Sequence, residues 1–167
     1  MKKTWIIILL LAVCLSISAN AEETPFSWQS VIRADGQDIG GVTASQVIIG
    51  VEREAATLPS PPAPPEYSVN MVLFDSNWSS MYRDIRSTGM SRHLWIIGID
   101  PHGNMGDPFV QRTARLSWDS ATFGDGKFML LEGYDGAGRA VVEDMKATSF
   151  YDVIGKRIKH FSIVYEP

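Results

Sequence analysis

The sequence predicts an all-β protein: an antiparallel β-sandwich, Ig-like or jelly-roll-like, of about eight strands. Three observations carry this. No stretch beyond residue 21 keeps a 3.6-residue apolar period over three turns. Apolar residues instead alternate with polar ones in short runs rich in β-branched and aromatic side chains. Between the runs stand Asp35-Gly36, Gly40-Gly41, Pro101-His102-Gly103-Asn104, Gly124-Asp125-Gly126, Asp135-Gly136 and Gly155, residues that tolerate or prefer tight turns.

Each strand is argued from its own residues. Phe26–Ala34 comes first, with Phe26 and Trp28 on one face. Gln46–Val51 and Tyr67–Phe74 follow. Between them, Ser60-Pro61-Pro62-Ala63-Pro64-Pro65 is a run in which prolines hold polyproline II and offer no amide donors. Residues 59–65 therefore read as a stiff crossover between two sheets rather than as a ligand for a proline-reading groove. Asn77–Arg86 suits one or two helical turns with Ser79 as N-cap, or a loop followed by a short strand. In His93–Asp100, Trp95, Ile97 and Ile99 share a face, and in Val110–Trp118 so do Leu116 and Trp118. Lys127–Glu132 and Arg139–Met145 flank a hairpin turn at Gly133–Gly138. Ile158–Tyr165 closes the chain with Phe161, Ile163 and Tyr165 in alternation. Trp28, Trp95 and Trp118 fall in apolar patterns and belong to the core.

The first 21 residues stand apart. A basic start (Lys2, Lys3), an apolar run from Trp5 to Val13 and the small residues of Ala19-Asn20-Ala21 have the three parts of a secretory signal, with cleavage after Ala21. The apolar run is shorter than the ~20 residues that span a bilayer, so no transmembrane span is expected in the mature chain. Cys14, the sole cysteine, follows Leu11-Ala12-Val13. Valine fits poorly where a lipobox takes Gly, Ala or Ser, so a lipid anchor is not the reading taken. Export then leaves Glu22–Pro167 without a thiol, which excludes cysteine catalysis and disulfides, and leaves the fold to its apolar core. The destination is secreted, periplasmic or cell-surface.

Composition limits the chemistry. With 15 Lys and Arg against 19 Asp and Glu, the net charge of −4 does not suit a nucleic-acid binder. Neither a Gly-x-Ser-x-Gly elbow nor a Gly-x-x-x-x-Gly-Lys loop is present. Glu143 and Asp144, adjacent on an expected strand, face opposite sides, which does not make the convergent acid pair of a glycosidase. Asp100, Asn104 and Asp107, around His102, supply oxygens for calcium, but their spacing is not that of an EF-hand. The loop reads as a solvated turn, and no cofactor is expected. Asn77-Trp78-Ser79 is a glycosylation sequon.

Aromatic residues outside the core pattern remain. Trp78 and Tyr82 stand beside polar residues and Tyr134 stands at a turn, so these three are the candidate sugar-stacking residues.

A set of landmarks recurs in order: Trp28, Gly50-Val51, Pro61-Pro62-Ala63-Pro64-Pro65, Trp78, Asp84-Ile85-Arg86, Trp95, Leu116-Ser117-Trp118, Leu130-Leu131, Asp144-Met145-Lys146 and Phe161-Ser162-Ile163. In these the chain resembles a poorly characterised β-sandwich module of secreted and cell-surface proteins of bacteria and archaea. That module often lies beside Ig-like, adhesion or dockerin-type modules. Glu52–Leu58 replaces its acidic, tyrosine-containing stretch, and Lys146 its usual arginine. The resemblance implies a single β-sandwich domain over 22–167 and no catalytic residues. The expected function is a non-catalytic surface or accessory domain that binds a protein partner at the envelope or serves as a structural component. The alternatives are a carbohydrate-binding module and, third, a small hydrolase. Exposed edge strands would be the simplest protein-binding surface.

Overall fold

The computed structural model describes residues 27–36, 44–104 and 109–167. The expected leader 1–21 with Cys14, Phe26, the expected Gly40-Gly41 turn and Asp107 lie outside the described residues.

Eleven strands form one sheet. They are β1 (Trp28–Gly36), β2 (Ala44–Glu52), β3 (Ala56–Pro59), β4 (Asn70–Phe74), β5 (Ser80–Ser87), β6 (His93–Asp100), β7 (Arg112–Trp118), β8 (Lys127–Glu132), β9 (Ala140–Val142), β10 (Phe150–Gly155) and β11 (Lys159–Glu166). A 3₁₀ turn, Ser120–Thr122, is capped by the Asp119 side chain. Each of the eight expected strands is present. All-β is thus correct, but the eight-stranded antiparallel sandwich is not what forms. The strand order is β10-β7-β1-β2-β5-β4-β6-β11-β8-β9, with β3 on β5, and the sheet curls until it is nearly a barrel. It is mixed, because β2 runs parallel to β5. The prolines accordingly do not cross between two sheets; they lead from β3 to β4 within one.

The curl explains how one sheet makes a core. Inward positions alternate along every long strand: Trp28, Ile32 and Ala34 in β1, Val47, Ile49 and Val51 in β2, Trp95, Ile97 and Ile99 in β6. Leu116, Trp118, Phe161, Ile163 and Tyr165 are buried as their period-two spacing predicts. Trp28 sits edge-on to Trp95, Phe123, Phe128 and Tyr165, with ring centres 4.9 to 5.9 Å away. Edge-to-face packing suits the aromatic quadrupole.

The two ends of the sheet, β9 and β10, are joined by residues 143–149. Met145 N–H donates to Phe128 O (2.9 Å) and Met145 O accepts from the Trp118 indole (2.7 Å), so this segment ties β8 to β7. Glu143 and Asp144 therefore lie off the strand, in a bend where Asp144 Oδ1 accepts from Lys146 N–H.

Residues 77–86 are not helical. Asp75 opens a tight turn and β5 begins at Ser80, which is the loop-then-strand alternative. Val72 and Phe74 lie on the outer side of β4, and β6 and β11 carry Leu94, Ile96, Gly98, His160, Ser162 and Val164 there. The Gly133–Arg139 connection folds back over this outer side. Ser162 Oγ donates to Gly133 O (2.8 Å), and Gly133 N–H to His160 O (2.9 Å).

Candidate functional site

Two connections meet on the outer face of β4, β6 and β11. The first is the turn after β4. Asp75 Oδ1 accepts the N–H groups of Asn77 and Ser79 (both 2.8 Å), and Asp75 O accepts Trp78 N–H (3.1 Å). This Asx turn forces Trp78 to φ +62°, the one described non-glycine residue in the left-handed region. A bulky side chain there carries strain, and such strain gathers at functional sites. The second connection carries Tyr134, next to Gly133 at φ +88°.

The rings converge. Trp78 lies 5.3 Å from Phe74, 5.4 Å from Tyr134 and 5.7 Å from His160. Phe74 rests on Gly98, where a Cβ would come within 2.5 Å of Cε2. Trp78 remains 48% exposed and Tyr134 55% exposed. Indole and phenol meet at 71°, so they form a notched platform and not a coplanar row.

Beside the platform the sheet opens. β4 separates β5 from β6 only as far as Phe74, and beyond it no ladder joins β5 to β6 among the described residues. A groove of about 400 Å³ enters this gap, lined by Phe74, Asp75, Met90, Arg92, Asp84, Arg86 and His93. A bulge turns polar side chains into it. Leu58 pairs with Arg83 and Pro59 with Met81, so Tyr82 is the extra residue. The phase of β5 shifts there: Asp84 and Arg86 stand opposite Ile49 and Val51, on the core side.

The groove's electrostatics follow from burial. Arg86 Nη2 lies 2.7 Å from Asp84 Oδ2 and donates to Leu94 O (3.3 Å). Asp84 is almost completely buried, which raises its carboxyl above the usual carboxylate range; Arg86 pulls against this and Asp75 adds to it. His93 is stacked between Trp95 (5.9 Å) and Tyr165 (5.6 Å). Burial and then the Arg86 charge lower its imidazole below the ordinary histidine value. Arg86 Nε and His93 Nδ1 are buried without a hydrogen-bond partner among the described residues.

The sequence-predicted trio is therefore divided. Trp78 and Tyr134 come together. Tyr82 does not join them; it is half-buried at the bulge and lines a separate groove of about 550 Å³ walled by Ser60–Pro64, Gln46 and Asn70. Phe74, His160, Asp84, Arg86 and His93 were not expected at a site. Phe74 ends one expected strand and His160 lies within another as an ordinary strand residue, and nothing in their spacing shows that two loops fold over them.

In the Asp100–Asn104 loop, the Asp100 and Asn104 side chains are taken up by backbone groups, one in the loop itself and two in the segment before β4. Asp100 Oδ1 accepts from His102 N–H (3.1 Å), while Asn104 Oδ1 accepts from Tyr67 N–H (2.9 Å) and its Nδ2 donates to Pro65 O (2.6 Å). Among the described residues no three His, Cys, Asp or Glu gather as a metal site would need, and no helix is long and apolar enough to cross a membrane. The chain matches no protein-family model, and no curated protein or solved structure matches it.

Proposed function

We propose that this chain is an exported, non-catalytic binding domain that acts as a surface or accessory component, and that its ligand is a glycan held on the Trp78–Tyr134 platform. One observation carries the reading: the Asp75 turn holds an exposed indole in a backbone conformation that disfavours it, against a second exposed ring from a distant loop. A core tryptophan needs neither the exposure nor the strain. Aromatic faces rimmed by polar groups suit the apolar faces and hydroxyls of sugars. The acids nearby favour binding over hydrolysis. Asp75 Oδ1 accepts two turn amides and Asp84 is ion-paired with Arg86, so the protein itself engages both acids.

The test is a glycan array probed with the exported chain and with Trp78→Ala. Binding to a defined glycan that Trp78→Ala abolishes supports the reading. Full binding by the variant, or none by either protein, overturns it.

A second reading has its own observation. Among the described residues β10 ends the sheet with an unpaired edge, and it exposes Phe150 and Ile154. Such an edge accepts a partner strand, which is protein interaction by strand addition and matches the resemblance to adhesion-associated modules. Capture of a defined envelope protein that Ile154→Lys abolishes and Trp78→Ala leaves intact would establish this reading in place of the first.

A further inference from the structure

The groove between β5 and β6 adjoins the platform through Phe74, which lines the groove and touches Trp78. Its polar groups have a distinct pattern. Arg86 spans from Asp84 to Leu94 O while its side chain stays 40% exposed; Asp84 is 3% exposed. Donor and acceptor are thus fixed side by side, with the donor toward the opening. Deeper in, Arg86 Nε and the His93 ring nitrogen hold no partner, and a buried polar atom without one calls for a ligand or water. Adjacent donor and acceptor complement two neighbouring hydroxyls, each of which both gives and accepts a hydrogen bond.

The charges are already matched. Arg86 is paired with Asp84, and Arg92 Nε lies 3.8 Å from Glu166 Oε1. Asp75 adds a further carboxylate to the wall. Among the described residues, no uncompensated cation lines the groove to receive a carboxylate, sulfate or phosphate.

We propose that the Asp84–Arg86–His93 groove is a second subsite of the platform: it holds the vicinal hydroxyls of a neutral sugar whose neighbouring residue stacks on Trp78 and Tyr134. This rests on the glycan reading above and narrows it to uncharged oligosaccharides of at least two residues. A monosaccharide fills only one of the two subsites.

The experiment is isothermal titration calorimetry on the full chain expressed with its leader and recovered after export. The probes are neutral gluco-, manno-, galacto- and xylo-hexasaccharides, their monosaccharides, and hexauronates. The variants are Trp78→Ala, Arg86→Lys and His93→Gln, each checked for folding by circular dichroism. One neutral hexasaccharide should bind, its monosaccharide at least tenfold more weakly and the hexauronates weaker still. Trp78→Ala should abolish binding, and Arg86→Lys and His93→Gln should each weaken it at least fivefold. In the unmodified protein, the His93 ring resonances should shift on titration together with the Trp78 indole, which keeps the test decisive if a variant does not fold. Binding that Trp78→Ala removes while Arg86→Lys, His93→Gln and the His93 resonances leave unmoved overturns the subsite and spares the platform. A preference for hexauronates overturns the neutral assignment. No binding of any probe, with array binding also absent, overturns both.

Discussion

At Trp78 the usual ranking of alanine over glycine should reverse. In ordinary ordered backbone, glycine is worse than alanine by about 0.5–1 kcal/mol, because its unfolded chain has more freedom to lose. Trp78 sits at φ +62°, where a Cβ costs about 1–2 kcal/mol and glycine nothing. Trp78→Gly and Trp78→Ala both remove the same indole and the same contacts to Phe74, Tyr134 and His160, so those losses cancel between the variants. The net expectation is that Trp78→Gly is more stable than Trp78→Ala by about 0.5–1 kcal/mol. In melting temperature that is roughly 1–4 °C for a chain of this size. Urea unfolding followed by far-ultraviolet circular dichroism measures it without depending on indole fluorescence. Both variants should lose glycan binding equally, which separates stability from function. If Trp78→Ala matches or exceeds Trp78→Gly in stability, the turn does not hold a left-handed residue in solution, and the strain offered in support of a binding role is absent.

The other predictions concern the platform's support, the β2–β4 contact and the buried imidazole. Gly98→Ala should push Phe74 from its seat, where a Cβ would approach Cε2 to 2.5 Å. The cost should be about 1–2 kcal/mol by chemical denaturation, and it should shrink when Phe74 is also replaced by alanine. Ser45 Oγ donates to Met71 O (3.2 Å) and accepts from Met71 N–H (3.1 Å), bridging β2 to β4 where no ladder joins them among the described residues. Ser45→Ala should cost about 1–2 kcal/mol, read as a lower urea midpoint at unchanged slope. The His93 imidazole has its folded pKa lowered, so the unfolded chain binds protons more readily. Its contribution to stability is full above its unfolded value of about 6.5 and is lost as pH falls toward the folded value. His93→Gln should flatten the stability-against-pH curve over that acidic window, and an unchanged slope would refute the assignment. Asp84 acts oppositely: its raised carboxyl makes folding less favourable as pH rises through its unfolded value of 3.8.

The barrel's frame was legible because half-buried strands write their burial in period two. Trp95, Ile97 and Ile99 could be assigned to one face from the sequence, and all are fully buried. Two strands, β3 and β10, were missed, and β5 was left open between helix and strand, each for a physical reason. β3 (Ala56–Pro59) is exposed along its whole length, so it has no alternation to display. β10 exposes Phe150 and Ile154 at a sheet edge, which blurs its pattern. β5 carries a bulge at Tyr82 that shifts its alternation midway, so its apolar residues match neither period well. Of the pairings, the β8–β9 hairpin was legible, because a glycine-rich turn joins Leu131 to Ala140, which do pair; the non-local pairings were not. Nothing local in β2 or β5 specifies that they run parallel, and that pairing separates a mixed near-barrel from an antiparallel sandwich.

The misreadings and the candidate site fall in the same place. Of the two alternatives over Asn77–Arg86, the helix is excluded because Asp75 takes the turn amides that a helix would use, and that same turn presents Trp78. The alternation of β5 failed because of the bulge, and the bulge delivers Asp84 and Arg86 to the groove. Local preference and final structure agree across most of the sheet and disagree over about twelve residues between Asp75 and Arg86. A sequence selected only for a stable barrel would gain from a regular β5 and a glycine at position 78. Keeping an indole at φ +62° and an ion pair on the core side works against stability at both points. Selection for something other than stability accounts for both at once, and this is the ground on which binding at the surface these residues build is proposed.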